Sequence, residues 1–142
     1  MSVMLFFSSV KPTEALPGLI QKGKASFYSK KFNGRKTAYD ERVNSEALEG
    51  AHRTLPLNTL VEVTNLDNQR SVIIRINDKG PFAKGRVVDM THAAARAIGM
   101  ISKGVANVSL RVVGKGRPGL FTAESAAFTV PDTFQYPLAP AL

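Results

Sequence analysis

Cysteine is absent from the 142-residue chain, and histidine occurs only twice, at His52 and His92. The absence of cysteine excludes disulfides, thiolate metal ligands and a cysteine nucleophile. Two histidines are too few for a histidine-rich metal centre, and no apolar run reaches the roughly 20 residues that a membrane-spanning helix needs. We therefore expect neither a bound metal nor a cofactor.

Acidic residues are the scarcer charge, since 11 Asp and Glu stand against 19 Lys and Arg, which gives a formal net charge of +8. Of these, 15 basic and 8 acidic residues fall between residues 23 and 114, so a net +7 lies in that segment. A basic surface indicates an anionic partner, and nucleic acid, anionic lipid and peptidoglycan all qualify. The basic residues lack an interleaved aromatic platform for single strands, which argues against nucleic acid. A basic surface without a specific partner stays open at this point.

The distribution of proline and glycine divides the chain into three parts. Residues 1–22 are interpreted as an N-terminal arm and linker, residues 23–114 as one domain, and residues 115–142 as a Pro/Gly-rich C-terminal arm. Residues 1–10 are apolar but lack the basic start and the small-residue cleavage site of a signal peptide. They are either the remnant of a leader or a tail, and the sequence leaves both open.

The central segment reads as a series of short strands. Alternating and β-branched patterns predict strands at residues 24–28, 60–64, 71–77, 86–90 and 105–113. Turn residues at 66–69 join the second and third of these as a hairpin. Thr91 is a good N-cap for a short helix over residues 92–98, with Gly99 in the C′ position. Five or six short strands with one or two short helices favour a mostly β fold, a closed barrel.

Three side chains capable of proton transfer lie outside the strand patterns: Glu41, His52 and Asp78. They are 11 and 26 residues apart, so only the fold can bring them together. Each also has a structural interpretation. Asp78 lies in a Gly-Pro turn and could accept backbone N–H bonds, His52 could be a structural hydrogen-bond partner, and Glu41 could pair with Arg42.

Two further polar residues are interpreted as structural. Asp89 comes just before the predicted helix, where the helix dipole favours a carboxylate, and His92 is interpreted as a surface or packing residue. The chain has no Gly-x-Ser-x-Gly elbow, no phosphate loop and no His-Glu-x-x-His motif. No other class of catalytic site is indicated.

Several motifs occur in an order that resembles one protein family. They are Gly23-Lys24-Ala25-Ser26-Phe27-Tyr28, Thr37-Ala38-Tyr39-Asp40-Glu41, Ala51-His52-Arg53-Thr54-Leu55-Pro56, Arg75-Ile76-Asn77-Asp78-Lys79-Gly80-Pro81-Phe82 and Arg86-Val87-Val88-Asp89-Met90. Together they resemble the rare lipoprotein A domain over residues 23–114. The resemblance implies a six-stranded double-psi β-barrel with one or two short helices.

The resemblance also implies a function. Characterised family members are lytic transglycosylases that cut peptidoglycan glycan strands, preferentially strands stripped of stem peptides, and leave 1,6-anhydromuramic ends. It implies a protein of the bacterial cell envelope, in the periplasm, membrane-associated only through a lipid anchor, and without a cofactor. Similar barrels in expansins suggest the alternative of a non-catalytic module that binds wall glycans.

The family's functional positions fall on residues of this chain. The resemblance implies that Glu41, His52 and Asp78 are catalytic, with Glu41 or Asp78 as a single acid/base group of raised pKa and His52 orienting one of them. We expect substrate contacts from their neighbours, which are Tyr39, Asp40, Arg53, Asn77 and Lys79.

One place departs from the family pattern. Tyr39 and Asp40 stand where the family has Ser-Gly before the glutamate. If the backbone there needs a positive φ, Asp tolerates it better than most residues. We expect Asp40 either to raise the pKa of Glu41 or to reshape the loop and weaken catalysis.

Overall fold

The structure, a computed structural model, describes residue 18 and residues 20–116. Six strands follow one another as β1 (Ile20–Phe27), β2 (Glu49–Ala51), β3 (Thr59–Asn65), β4 (Ser71–Asp78), β5 (Arg86–Met90) and β6 (Ala106–Lys115). A 3₁₀ turn spans Lys30–Phe32, and the helix α1 spans His92–Ala97 between β5 and β6. Most of the two predicted arms, residues 1–17 and 117–142, lies outside the described residues.

The six strands form a closed barrel in the order β1-β5-β2-β4-β3-β6. The pairs β1·β5 and β2·β4 are parallel, and the other four are antiparallel. The predicted mostly β, six-stranded barrel with short helices is therefore confirmed. Within the described residues no helix is long and apolar enough to cross a bilayer.

Local sequence signals predicted most of these elements. The β3–β4 hairpin has the predicted turn, and the Thr91 hydroxyl accepts the Ala94 N–H at 3.4 Å as the helix cap. Gly99 follows the helix with φ +70°, as the C′ position requires. The strand β2 was not predicted because three residues are too short to display a period. The strand β1 begins at Ile20, four residues before its prediction, because β6 pairs with residues 20–25.

The hydrophobic core fills the barrel. Fully buried side chains alternate along the strands, as the two-residue period of a strand requires; they include Val61, Val63, Ile74, Ile76, Val88, Met90 and Val108. Gly50 lies against this core, because an added Cβ would stand 2.8 Å from the Asp89 carbonyl oxygen. The close approach of β2 to β5 therefore needs glycine at this position.

A shift in register between β2 and β4 determines where Asp78 points. Gly50 pairs with Ile76 but Ala51 pairs with Asp78, so Asn77 is an extra residue in β4. Strict alternation would put Asp78 on the core face with Ile76. The shift, which acts as a β-bulge, turns Asp78 to the opposite face instead.

The same face carries a second carboxylate. Ala51 pairs with Asp89 in β5, and Asp89 pairs in turn with Ser26 in β1. Residues paired in register across neighbouring strands share a face. Ser26, Asp89, Ala51 and Asp78 therefore form one row across four strands.

Candidate active site

A cleft of about 270 Å³ lies over this row. Its walls combine two carboxylates, two aromatic rings and two cations, and its lining residues are Tyr28, Phe32, Arg35, Lys36, Val43, Asp78 and Asp89. The Arg35 guanidinium lies 4.8 Å from the centre of the Phe32 ring, a cation–π geometry. The cleft can therefore present acid, aromatic and cationic groups to one ligand.

The Asp78 carboxylate is held by three donors. Its Oδ1 accepts the N–H groups of Ala38 and Lys79, both at 2.8 Å, and its Oδ2 accepts the Tyr28 hydroxyl at 2.9 Å. Burial and the adjacent Asp78 charge raise the pKa of Tyr28, so the phenol keeps its proton. Bonds accepted at both oxygens are the pattern of an ionised carboxylate.

Asp89 occupies a different environment in the same cleft. Burial raises its pKa to about 6, with a further contribution from the Asp78 charge. The Ser26 hydroxyl, which donates to Oδ1 at 3.2 Å, and the charge of Arg86 oppose that rise. Asp89 is therefore a carboxyl group that gains and loses a proton near neutral pH. Its interpretation as a structural residue at the start of the helix missed this role, although a carboxylate between buried Val88 and Met90 was a signal.

The two carboxylates are separated by one strand. Both pair with Ala51, and neighbouring strands lie about 4.8 Å apart, so their backbones are about 10 Å apart. The side chain between them is a methyl group.

Glu41 lies in a buried ion cluster outside this cleft. The Arg75 guanidinium, which is 2% exposed, donates to Glu41 at 3.0 and 2.5 Å and to Glu49 at 2.5 Å. The hydrogen bonds from Arg75 hold the pKa of Glu41 below its usual range. The expectation that Glu41 is an acid of raised pKa, with Asp40 raising it, is therefore wrong. The expected pairing of Glu41 with Arg42 is also wrong, because the Arg42 guanidinium donates to the Gly34 carbonyl.

The same cluster anchors the extra residue of β4. The Asn77 amide donates to Glu41 at 3.2 Å and to Glu49 at 3.1 Å, and Asn77 is 2% exposed. Its side chain is therefore engaged inside the protein, and the substrate contact expected from Asn77 stays a prediction. Because Asn77 is the bulge residue, Glu41 and Glu49 hold the register shift that orients Asp78. Burial raises the pKa of Glu49.

The loop at residues 37–40 connects the Glu41 ion cluster with the cleft that contains Asp78. The Thr37 hydroxyl accepts the N–H groups of Tyr39 at 3.1 Å and Glu41 at 3.3 Å. Asp40 has φ +64°, so the position does need the left-handed conformation that glycine adopts most easily. The Lys79 ammonium lies 5.6 Å from the centre of the Tyr39 ring. Tyr39, Asp40 and Lys79 lie beside the cleft without lining it.

His52 is buried, and its ring forms a hydrogen bond to neither Glu41 nor Asp78. Its Nδ1 accepts the N–H groups of Thr54 at 3.2 Å and Leu55 at 3.1 Å, so the proton is on Nε2, which lies 2.8 Å from Gln21 Oε1. Burial lowers the pKa of His52. The expectation that its ring orients Glu41 or Asp78 is wrong, and the link to Asp78 is a backbone bond, from the His52 N–H to the Asp78 carbonyl at 3.1 Å.

Arg53 also acts on the backbone. Its guanidinium donates to the carbonyl oxygens of Pro81 at 2.8 Å and Ala83 at 2.9 Å. It thereby fixes the loop between β4 and β5. Among the described residues, no group of three or more acidic or histidine side chains is arranged to hold a metal ion.

Comparison with known sequences finds close relatives. A family model described as lytic transglycolase matches residues 20–110. The endolytic peptidoglycan transglycosylase RlpA of Pasteurella multocida is 52% identical over 110 residues, which are 78% of this chain and 37% of that protein. A probable endolytic peptidoglycan transglycosylase RlpA of Synechocystis is 57% identical over 94 residues, 66% of this chain and 29% of that protein. The chain thus spans about a third of the length of these relatives.

Solved structures with the same fold are more distant in sequence. The Streptomyces papain inhibitor aligns with a TM-score of 0.55 at 20% identity, over 67% of this chain and 94% of that one. An expansin of Clavibacter michiganensis aligns with a TM-score of 0.55 at 19% identity, over 70% and 52% respectively. This likeness concerns the fold, and it confirms the predicted double-psi β-barrel.

Proposed function

The chain belongs to the lytic transglycolase family, and from this premise we propose that it cleaves the glycan strands of peptidoglycan without water, leaving 1,6-anhydromuramic ends. The observation that carries the proposal is the pair of Asp78 and Asp89 in one cleft, in different environments. The net charge of +8 suits a polymer that carries carboxylates. The proposal implies a location in the bacterial cell envelope, in the periplasm.

Asp89 is the acid/base group of the proposed reaction. Its pKa of about 6 lets it hold a proton and later accept one at the same pH. The protonated carboxyl donates to the glycosidic oxygen as the bond to the muramic C1 breaks. The carboxylate then takes the proton of the muramic C6 hydroxyl as that oxygen bonds to C1 and closes the anhydro ring. One carboxyl group therefore serves both steps, and no water enters the products.

Asp78 is the charged partner in this scheme. The transition state at C1 resembles an oxocarbenium ion, and a fixed negative charge nearby stabilises it. The three donors at Asp78 hold that carboxylate in place before the sugar binds. Glu41 acts at a distance, by holding Asn77 and with it the bulge that points Asp78 into the cleft.

A product assay tests the proposal. Glycan strands freed of stem peptides are incubated with the protein, and mass spectrometry measures 1,6-anhydromuramic ends. We expect Asp89→Asn and Asp78→Asn to lose the activity and Asp67→Asn, an exposed carboxylate at the β3–β4 turn, to keep it. Absence of anhydro ends with the parent protein, while glycan binding persists, would instead favour the non-cutting wall-binding module.

A second substrate separates the two aspartates. An aryl glycoside of muramic acid has a leaving group that needs no proton, so it should recover the part of the rate that Asp89→Asn loses at the acid step, and leave the part lost at the base step, while Asp78→Asn should recover nothing. Rescue of Asp78→Asn alone would reverse the two roles. Glu41→Gln should lower activity together with stability, because Glu41 holds Arg75 and Asn77.

A further inference from the structure

A second cavity of about 270 Å³ lies at the other end of β5. It is bounded by the start of β1, the segment after β2 and the start of β5, and its lining residues are Gln21, His52, Arg53, Thr54, Gly85, Arg86 and Val87. Two guanidinium groups line it, and no carboxylate does. The first cleft, by contrast, is lined by two carboxylates as well as two cations.

The wall of this cavity combines a buried imidazole, His52, with the amide of an exposed residue, Gln21. His52 is 5% exposed, and its Nδ1 accepts two backbone N–H groups, so Nε2 must carry the proton. Nε2–H then donates to Gln21 Oε1 at 2.8 Å, which fixes the orientation of the Gln21 amide. The Gln21 NH₂ group has no hydrogen-bond partner among the described residues, so it is free to donate to a ligand.

The two guanidinium groups differ in how they are held. Arg53 is fixed by the carbonyl oxygens of Pro81 and Ala83. The Arg86 side chain makes no hydrogen bond and no ion pair within residues 20–116, although it acts on Asp89 through its charge. Arg111, the other half-buried arginine of residues 20–116, is paired with Glu62, and the buried Arg75 is paired with Glu41 and Glu49. Arg86 thus has bidentate donors available where a ligand can reach them.

The two cavities lie along one strand. Arg86 precedes Asp89 by three residues, which is about 10 Å along β5. Strict alternation would put them on opposite faces, but a register shift against β1 makes Val87 an extra residue, so Arg86 shares the face of Asp89. A polymer that passes over this face of β5 can therefore contact both. A carboxylate on that polymer meets charges of both signs in the first cleft, where Asp78 and Asp89 oppose Arg35 and Lys36, and only cations, Arg53 and Arg86, in the second.

We propose that the cavity between Gln21, His52 and Arg86 is a subsite that binds a carboxylate group of the saccharide, with Arg86 as its main ligand. This inference rests on the proposed function, since it names a chemical group of the glycan strand that the cleft is proposed to cleave. The carboxylate is the free lactyl group of a muramic residue, or one of the carboxylates of a stem peptide. Arg86 forms a charge-assisted pair with it and the Gln21 amide donates beside that pair.

Calorimetric binding tests the subsite in an Asp89→Asn background, which prevents turnover. The ligands are muramic-acid-containing oligosaccharides with free lactyl carboxylates, the same chains with lactyl methylamides, the same chains with stem peptides, and chitin oligosaccharides of equal length. We expect the free-carboxylate chains to bind about tenfold more tightly than the methylamide and chitin chains at low salt. Tightest binding of the stem-peptide chains would support the subsite and assign the carboxylate to the peptide.

Arg86→Gln and a matched control isolate the contact. Arg86→Gln should remove the tenfold preference and leave chitin binding unchanged, and Arg86→Lys should restore part of it. The control is Arg70→Gln, at an exposed arginine that lines neither cavity, and it should keep the preference. Equal affinity for all ligands, or an equal loss for all of them in Arg86→Gln, would overturn the subsite.

The outcome is separable from that of the proposed function. If the parent protein makes anhydro ends but does not prefer carboxylates, the function holds and the subsite fails. If it prefers carboxylates through Arg86 but makes no anhydro ends, the subsite holds and the cutting activity fails. Circular dichroism of each variant confirms that the barrel is folded.

Discussion

Asp89→Asn should make the protein more stable above pH 6 while it removes activity. The substitution keeps the shape of the side chain and an oxygen that accepts the Ser26 hydroxyl at 3.2 Å. It removes the charge that a buried carboxylate must carry at neutral pH. The groups around it, which are Arg86, Asp78 and the hydroxyl of Ser26, are unchanged.

The magnitude follows from the two protonation equilibria of Asp89. Its pKa is 3.8 in an exposed carboxyl and about 6 in the folded protein. At 1.36 kcal/mol per unit, the ionised carboxylate lowers the free energy of unfolding by about 3 kcal/mol. Because the pKa of Asp89 is higher in the folded protein than in the unfolded chain, ionisation of Asp89 does not lower the free energy of unfolding below about pH 4. It lowers this free energy progressively as the pH rises through 6. The gain from Asp89→Asn should therefore be near zero at pH 4 and reach about 3 kcal/mol at pH 7 and above.

Urea unfolding from pH 4 to pH 8 measures this difference. The parent protein, Asp89→Asn and the exposed-site control Asp67→Asn are compared at each pH, and the slope m should be the same for all three. Asp67→Asn should stay within about 0.5 kcal/mol of the parent at every pH. A difference for Asp89→Asn that does not change with pH would refute the raised pKa and with it the choice of Asp89 as acid.

Two further substitutions test the groups that support the site. Arg75→Met should destabilise the fold by about 3–5 kcal/mol, because it leaves two carboxylates of the cluster without their cation. The control Arg96→Met breaks an exposed ion pair and should lower the free energy of unfolding in urea by less than about 1 kcal/mol. Tyr28→Phe removes the 2.9 Å hydrogen bond to Asp78 and should lower kcat about tenfold with little change in KM; an unchanged kcat would mean that Tyr28 does not position Asp78.

The sequence predicted the elements that rest on local patterns. Alternation predicted β3 and β4, and the cap and glycine signals at Thr91 and Gly99 predicted the helix α1. The departure at Asp40 was also interpretable, since a missing glycine pointed to a positive φ that the structure has. These features depend on residues that are close along the chain.

The site depends on pairings that no local pattern encodes. The register shift at Asn77 arises from the pairing of β2 with β4, and β2 was itself too short to predict. Without that shift, nothing in the sequence puts Asp78 and Asp89 on one face. The partners of Glu41 and His52 are likewise distant, since Arg75 is 34 residues from Glu41 and Gln21 is 31 residues from His52. Motif order predicted candidate functional positions, but it could not predict which of their side chains are in contact.

The closed strand order has a consequence for how the protein acquires its activity. The cleft takes Tyr28 from the end of β1, Asp78 from β4 and Asp89 from β5, and the two parallel pairings that align them join strands far apart in the chain. Such long loops must close before their contacts stabilise the fold, which makes folding of this kind of barrel slow, on the order of milliseconds to seconds. Residues 49–90 contain Ala51 and both aspartates, whereas Tyr28 follows β1, so the cleft is complete only when β1 pairs with β5. The complete candidate cleft is therefore a property of the closed barrel and not of any single hairpin.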